Sequence, residues 1–420
     1  MPNVELTCVT TDKFKTGYFS VNLLNQLSAK DASKNALIPS VLRRGCAKYP
    51  DMESLAAALN ELYGTTIEPV VRTKGEIQCS GFITTFADDK YLPGENDLLE
   101  RVIGLTGEIL LAPVTRGGLL QADYVNSEKE NLCDQIRSSL NDKRTYSLVR
   151  LKEIMCAEEA FGVDRLGTVA ATEKITPIML TKHYKKILEN SEIQMFYCGT
   201  ADFSRVETAV LHAFSILPRG EADAGIGTQI RLDCGEVKYH TESLDVTQGK
   251  LALGFRLGET MYTPDYAAIT VFNAIFGGSV TSKLFLNVRE KLSLCYFASS
   301  SIEKHKGVML VSSGIEFDKY QEALDEILAQ LSAIRSGDIT GQELEGAKKY
   351  VITTLKASMD SAMALDSFYL GQAVEGLDFG LEEFAAFVER ISIEDAVAVA
   401  KSVCLDTVYF LKGNQEEAMK

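Results

Sequence analysis

The stretch Phe276-Gly-Gly-Ser-Val-Thr-Ser-Lys-Leu-Phe-Leu-Asn-Val-Arg-Glu-Lys-Leu-Ser-Leu-Cys-Tyr296 carries more information than any other in the chain. Gly277-Gly278 is a turn that ends one helix, and Ser279 or Thr281 has the side-chain oxygen to cap the next. Leu284, Val288 and Leu292 then recur every four residues, which predicts the buried stripe of that second helix. Arg289 sits on the flank of the stripe, and Tyr296 lies just past the helix, entering a strand. An Arg near a helix end and a Tyr on the following strand can point into one cleft. There both can donate hydrogen bonds to a backbone carbonyl or a developing oxyanion. Periodicity alone favours a plainer outcome, in which Arg289 pairs with a surface carboxylate and Tyr296 packs half in the core.

Outward from this segment the chain repeats itself, with a period near 215 residues. Ile175-Thr-Pro-Ile-Met-Leu-Thr-Lys-His-Tyr-Lys-Lys-Ile-Leu188 runs into the strand-like Glu192–Gly199. Ile391-Ser-Ile-Glu-Asp-Ala-Val-Ala-Val-Ala-Lys-Ser-Val403 runs into Thr407–Gly413. Each is a short helix with a Thr or Ser start signal, leading to a β-rich segment that ends in Gly. Upstream, Leu132, Ile136 and Leu140 match Ala347, Val351 and Leu355 as the stripes of two long amphipathic helices. Strands are predicted at Thr66–Arg72, Glu76–Phe86, Lys250–Arg256 and Gly307–Gly314. The Gly/Ala-rich Arg219–Gly227 separates the halves. The expected organisation is α+β, by duplication: residues 1–218, a linker at 219–229, and residues 230–420.

Composition narrows the function classes. The 420 residues are 46% apolar and 24% charged, which suits an ordinary soluble protein and excludes a disordered or fibrous one. There are 58 acidic and 43 basic residues, a net charge of −15 that disfavours nucleic acid. No window approaches the ~18 uninterrupted apolar residues of a membrane span, and Met1–Gly17 shows no signal-peptide core. Nine cysteines without a C-x-x-C pair read as reduced, mostly buried thiols, hence a cytoplasmic location. His183, His212, His240 and His305 are too far apart for a helical zinc motif. The run Lys182-His183-Tyr184-Lys185-Lys186 reads as a solvated helix face. Cys295, beside Tyr296, reads as structural.

The Phe276–Tyr296 segment resembles the second-half motif of the pitrilysin/insulinase (inverzincin) metallopeptidase family: Gly-Gly, a Ser-x-Leu-Phe run, Val-Arg-Glu-Lys and a Tyr, in that order. Lys48-Tyr49-Pro50, Leu62-Tyr63-Gly64 and Phe161-Gly162…Leu166-Gly167-Thr168 resemble landmarks of its first half. The resemblance covers essentially the whole chain. It implies two homologous domains of the LuxS/mitochondrial-processing-peptidase-like metallohydrolase fold, each a mixed, largely antiparallel sheet packed with helices, together forming half of a clam-shell. It also implies that Arg289 and Tyr296 bind substrate backbone near the scissile carbonyl.

Active members carry H-x-x-E-H before the Lys-Tyr-Pro region, with a distal Glu as third zinc ligand. Here the matching positions are Ala36, Pro39 and Ser40, and Gln135 stands for the distal Glu. Gln is a poor zinc ligand, and Ala36 and Pro39 offer none. The chain is similar to non-catalytic, YmfF-like bacterial members. The resemblance thus implies no metal in this chain, zinc in a homologous partner that carries H-x-x-E-H, and a heterodimer acting on peptides, with no nucleic acid or membrane involved. The alternative is a peptide-binding or scaffold homologue without proteolysis.

Overall fold

The computed structural model describes residues 1–94, 97–139, 141–220, 225–258 and 266–414. The first half of the chain runs β1 (Val4–Thr10), β2 (Thr16–Gln26), α1 (Ala32–Leu42), α2 (Met52–Glu61), β3 (Thr66–Lys74), β4 (Ile77–Ala87) and α3 (Leu98–Leu111). A two-residue hairpin follows, β5 (Thr115–Arg116) and β6 (Leu119–Leu120). Then come α4 (Ala122–Ser138), α5 (Lys143–Met155), α6 (Val169–Glu173), α7 (Pro177–Asn190), β7 (Glu192–Gly199) and α8 (Phe203–Ala213). The second half runs β8 (Lys238–Leu244), β9 (Gly249–Arg256), α9 (Ala267–Asn273), β10 (Cys295–Glu303), β11 (Val308–Ile315), α10 (Tyr320–Arg335) and α11 (Gly341–Ser358). It ends with α12 (Ala362–Glu375), α13 (Leu381–Arg390), α14 (Ile393–Ser402) and β12 (Cys404–Gly413).

The duplication is visible in strand order. One five-stranded sheet is ordered β1-β7-β2-β4-β3 and the other β8-β12-β9-β11-β10, the same sequence position for position. In each, the first and last strands of the half pair in parallel and the remaining neighbours are antiparallel. The repeat read from Ile175 and Ile391 is α7–β7 and α14–β12. Thr176 caps α7 by accepting from the Met179 N–H, and Ser392 caps α14 by accepting from that of Asp395. The α+β expectation holds, and all four predicted strands are present. Of the predicted stripes, Leu140 lies outside the described residues.

The chain forms two compact units. One comprises Met1–Arg137, Val163–Gly227 and Asp360–Gly376; the other comprises Ser138–Gly162, Thr228–Met359 and Leu377–Lys420. Helices α5 and α12 follow α4 and α11 at equivalent places in the two halves, yet each belongs to the unit built mainly from the other half. The alternation of the strands shows why each sheet needs a helix on its second face. In the first unit, Phe19, Val21 and Leu23 enter the main core, whereas Leu24 joins Leu370 of α12 on the opposite face. In the second unit, Leu251, Leu253 and Phe255 enter the main core, and Ala252 meets Leu151 and Met155 of α5. Gly254 leaves room for that helix, since a Cβ there would lie 2.5 Å from the Met155 sulfur.

Both second faces bury charge. Asp366 of α12, fully buried, accepts from Tyr18 at 3.0 Å and Ser20 at 2.7 Å and pairs with Arg72. In the other unit, the fully buried Arg256 forks onto Glu159, just past α5, and reaches Asp406 at 3.0 Å. Lys306 adds a contact to Glu159 at 2.7 Å.

Residues 221–224 of the expected linker lie outside the described residues. On either side, Arg219 donates to the carbonyls of Leu188 and Ser191, and the Gly227 N–H donates to Gln26. The expectation that all cysteines stay reduced is corrected: Cys234 and Cys404 form a disulfide, tying the segment before β8 to β12, while the other seven are free thiols. Spacing could not reveal a pair 170 residues apart. Among the described residues, no helix is long and apolar enough to cross a membrane.

Candidate functional site

Ala36, Pro39 and Ser40 all lie on α1. Ala36 and Pro39 are buried and Ser40 is half-buried. Pro39 sits inside the helix, where it has no N–H to give the preceding turn. Gln135 is on α4 and exposed. A methyl group, a proline ring, a hydroxyl and an amide do not make a zinc site, and none can act as a general base. Among the described residues, no group of three or more His, Cys, Asp or Glu could hold a metal.

The polar chemistry of α1 goes instead into a lock that spacing did not reveal. Asn35 donates from Nδ2 to Gln78 Oε1 on β4 at 2.9 Å, and its Oδ1 lies 2.6 Å from His183 Nε2 on α7. Gln78 in turn donates to the Ala32 carbonyl at 3.0 Å. Because Asn35 Oδ1 must accept, the network assigns the proton of His183 to Nε2. Burial holds the His183 pKa down to about 4, so the ring is neutral at pH 7. His183 is thus a buried tether between α1, β4 and α7 and departs from the expected solvated face.

In the second unit, the segment from Phe276 to Tyr296 is wound more loosely than an α-helix. Ala274–Gly278 and Leu284–Lys291 are both π-helical, a rare form that is frequent at functional sites. Gly277 is required by close approach: a Cβ there would meet Ser300 Oγ at 2.6 Å and Leu284 Cδ1 at 2.7 Å. Leu284 and Val288 are buried as predicted, but Leu292 is 44% exposed. The wide turn explains this correction. The Leu294 N–H bonds back to the Val288 carbonyl, and Leu294 takes the buried place. Ser293 then adopts φ 51° to turn the chain into β10.

Arg289 stands on the last π turn. Its guanidinium lies 4.6 Å from the centroid of the Phe285 ring, and its Nε is 3.5 Å from Glu290. Tyr296 is on β10, the edge strand of its sheet, at a β-bulge between Cys295 and Phe297. Ala298 and Ser300 face inward, so plain alternation would bury Tyr296 as well. The bulge gives the inward place to Cys295 and turns Tyr296 out, 63% exposed. The half-core packing suggested by periodicity does not occur. The Tyr296 hydroxyl donates to Glu316 Oε1 at 2.7 Å, and that bond raises its pKa, which keeps it a donor. Cys295 is buried with a raised pKa, as suits a structural thiol.

Comparison with known proteins gives the family. A family model described as the Peptidase M16 inactive domain matches residues 174–351. The Bacillus subtilis (strain 168) protein YmfF, named a probable inactive metalloprotease, is 33% identical over 414 residues, 97% of this chain and 95% of its own. The chain belongs to the M16 peptidase family. This is the pitrilysin/insulinase family of the sequence resemblance, and the mixed-sheet, helix-packed M16 fold is the one observed. A crystal structure of a conserved protein from Enterococcus faecalis V583 matches with a TM-score of 0.89 and 31% identity, over 99% of this chain and 97% of that one. YmxG of B. subtilis, named an uncharacterized zinc protease, is 31% identical over 130 residues, 30% of this chain and 32% of its own.

Proposed function

We propose that this chain is the non-catalytic, substrate-binding subunit of a heterodimeric zinc peptidase that acts on peptides. A homologous M16 chain with H-x-x-E-H supplies the zinc and the general base. Arg289 and Tyr296 of this chain bind the substrate backbone and donate to the oxyanion. The observation that carries the reading is the bulge that turns Tyr296 out of the core on an edge strand, seven residues after Arg289, in a chain whose α1 has no zinc ligands. The edge of β10 offers unpaired backbone groups to which an extended peptide can add as a strand, with affinity from the main chain and little sequence selectivity.

One observation favours a second reading, a peptide-binding scaffold without proteolysis: Tyr296 already has Glu316 as its partner, and Arg289 lies beside Glu290. Turnover decides between the two. Losing one oxyanion donor costs enzymes on the order of 100–1000-fold, so Arg289→Ala or Tyr296→Phe lowers turnover of the complex by tens-fold or more. Unchanged turnover in both variants contradicts the clamp. Folding survives, because neither side chain is part of the core.

A further inference from the structure

Beside the Asn35–His183 lock, α7 and the start of α1 enclose a depression of about 530 Å³. Lys182, Lys185 and Lys186 line it from α7, at helical spacings that place them on one face. Lys30 and Lys34 line it from the beginning of α1. Two carboxylates, Asp31 and Glu189, share the lining, and Asp31 is already engaged by Lys34. Among the described residues, no carboxylate pairs with Lys30, Lys182 or Lys185. Five lysines against two carboxylates leave the lining net positive, in a chain whose net charge is −15.

Two further features point the same way. After burial, the charge of Lys34 lowers the His183 pKa, Asp31 opposes it, and Lys186 and Lys30 add to the lowering, so lysines on both sides of the depression act on the same ring. Helix α1 also starts beside this space, and its N-cap Asp31 makes no side-chain capping bond to it.

We propose that this depression binds a small multivalent anion, the phosphate groups of a di- or triphosphate. Lysines act as mobile point charges suited to several phosphate oxygens, and the lining holds neither an arginine fork for a planar carboxylate nor a Phe, Tyr or Trp ring to stack a base; its one imidazole, His183, is buried against Asn35. A bound oligophosphate bridges α1 and α7 and neutralises lysines that otherwise repel one another. The site is separate from Arg289 and Tyr296 and does not depend on the peptidase reading.

The test is calorimetric titration of the full chain with pyrophosphate, ATP and adenosine at low salt. Lys182→Ala/Lys185→Ala is the site variant, and Lys349→Ala, an exposed lysine on α11, is the control. At separations near 6 Å, each lysine contributes roughly fivefold in affinity for such an anion, so the double variant binds pyrophosphate about 25-fold more weakly while the control is unchanged. Similar affinities for pyrophosphate and ATP, with none for adenosine, support recognition through the phosphates. Absence of pyrophosphate binding at millimolar concentration, wild-type affinity in the double variant, or binding of adenosine overturns the proposal. Both substitutions are at exposed helix positions where Ala favours the fold.

Discussion

Arg256→Met removes the arginine that holds the α5 segment in the second unit. The side chain is fully buried and makes three charge-assisted contacts: Nη1 to Glu159 at 3.0 Å, Nη2 to the same carboxylate, and Nε to Asp406 at 3.0 Å. Methionine fills much of the volume but leaves two largely buried carboxylates without that partner. Lys306 still meets Glu159, and Thr407 still donates to Asp406, so neither carboxylate is wholly abandoned. Breaking a buried pair by removing one partner costs roughly 3–5 kcal/mol, and the remaining partners place this variant near the lower end, about 3 kcal/mol.

The same contacts shift the titration of Glu159. Its contacts with Arg256 and Lys306 outweigh burial and hold its pKa at about 2, below the ordinary value of 4.5. That difference corresponds to at most about 3 kcal/mol before solvent screening, shared between Arg256 and Lys306, present above pH ~4.5 and lost as pH falls toward 2. Urea unfolding followed by far-ultraviolet circular dichroism suits a chain without tryptophan. Hydrogen exchange then reports whether α5 and β9 lose protection together. Arg256→Met lowers stability by about 3 kcal/mol and flattens the acid limb of the stability curve. Arg137→Met, at an exposed pair, stays within about 0.5 kcal/mol. A loss below ~1 kcal/mol for Arg256→Met would refute the reasoning, because the carboxylates would then be adequately solvated without it.

Four further outcomes are expected. Glu316→Gln removes the carboxylate that raises the Tyr296 pKa, so the hydroxyl titrates nearer the ordinary value of ~10 in tyrosine-labelled NMR; an unchanged titration contradicts the pairing. Asn35→Ala leaves Gln78 and His183 without their buried partner and lowers stability by about 2 kcal/mol in chemical denaturation, against a change below ~0.5 kcal/mol if the lock is slack. In the wild type, His183 takes up a proton less readily folded than unfolded, so stability rises from pH 4 to 6.5 by up to about 3 kcal/mol, and His183→Gln removes that rise. In the denatured, unreduced chain seven thiols react with a thiol reagent, and nine react after reduction; nine without reductant would contradict the Cys234–Cys404 bond.

Local signals in the sequence were faithful guides to local structure. Caps at Thr176 and Ser392 and the alternation of Lys250–Arg256 each depend on a few neighbouring residues, and each appears where expected. The exchange of α5 and α12 was not legible, because an apolar stripe says that a helix is covered but not by which sheet. Arg256 stands at the end of a predicted strand, where its type suggests exposure; only the distant Glu159 and Asp406 make its burial tolerable. The candidate site divides in the same way. Motif order located Arg289 and Tyr296, but the bulge that exposes Tyr296 and the π winding that displaces Leu292 arise from packing against Ser300 and β11, which no local pattern encodes. His183 was misread for a similar reason: flanking lysines suggested a solvated face, whereas the ring meets Asn35, 148 residues away.

The account is tested most directly by a mild-salt pull-down of the tagged chain from its native cells, with mass-spectrometric identification of any stoichiometric partner and assay of zinc. It predicts a homologue of about equal size carrying H-x-x-E-H and about one zinc per pair. A zinc-free dimer of this chain with itself, or only partners unrelated to the M16 family, would contradict it.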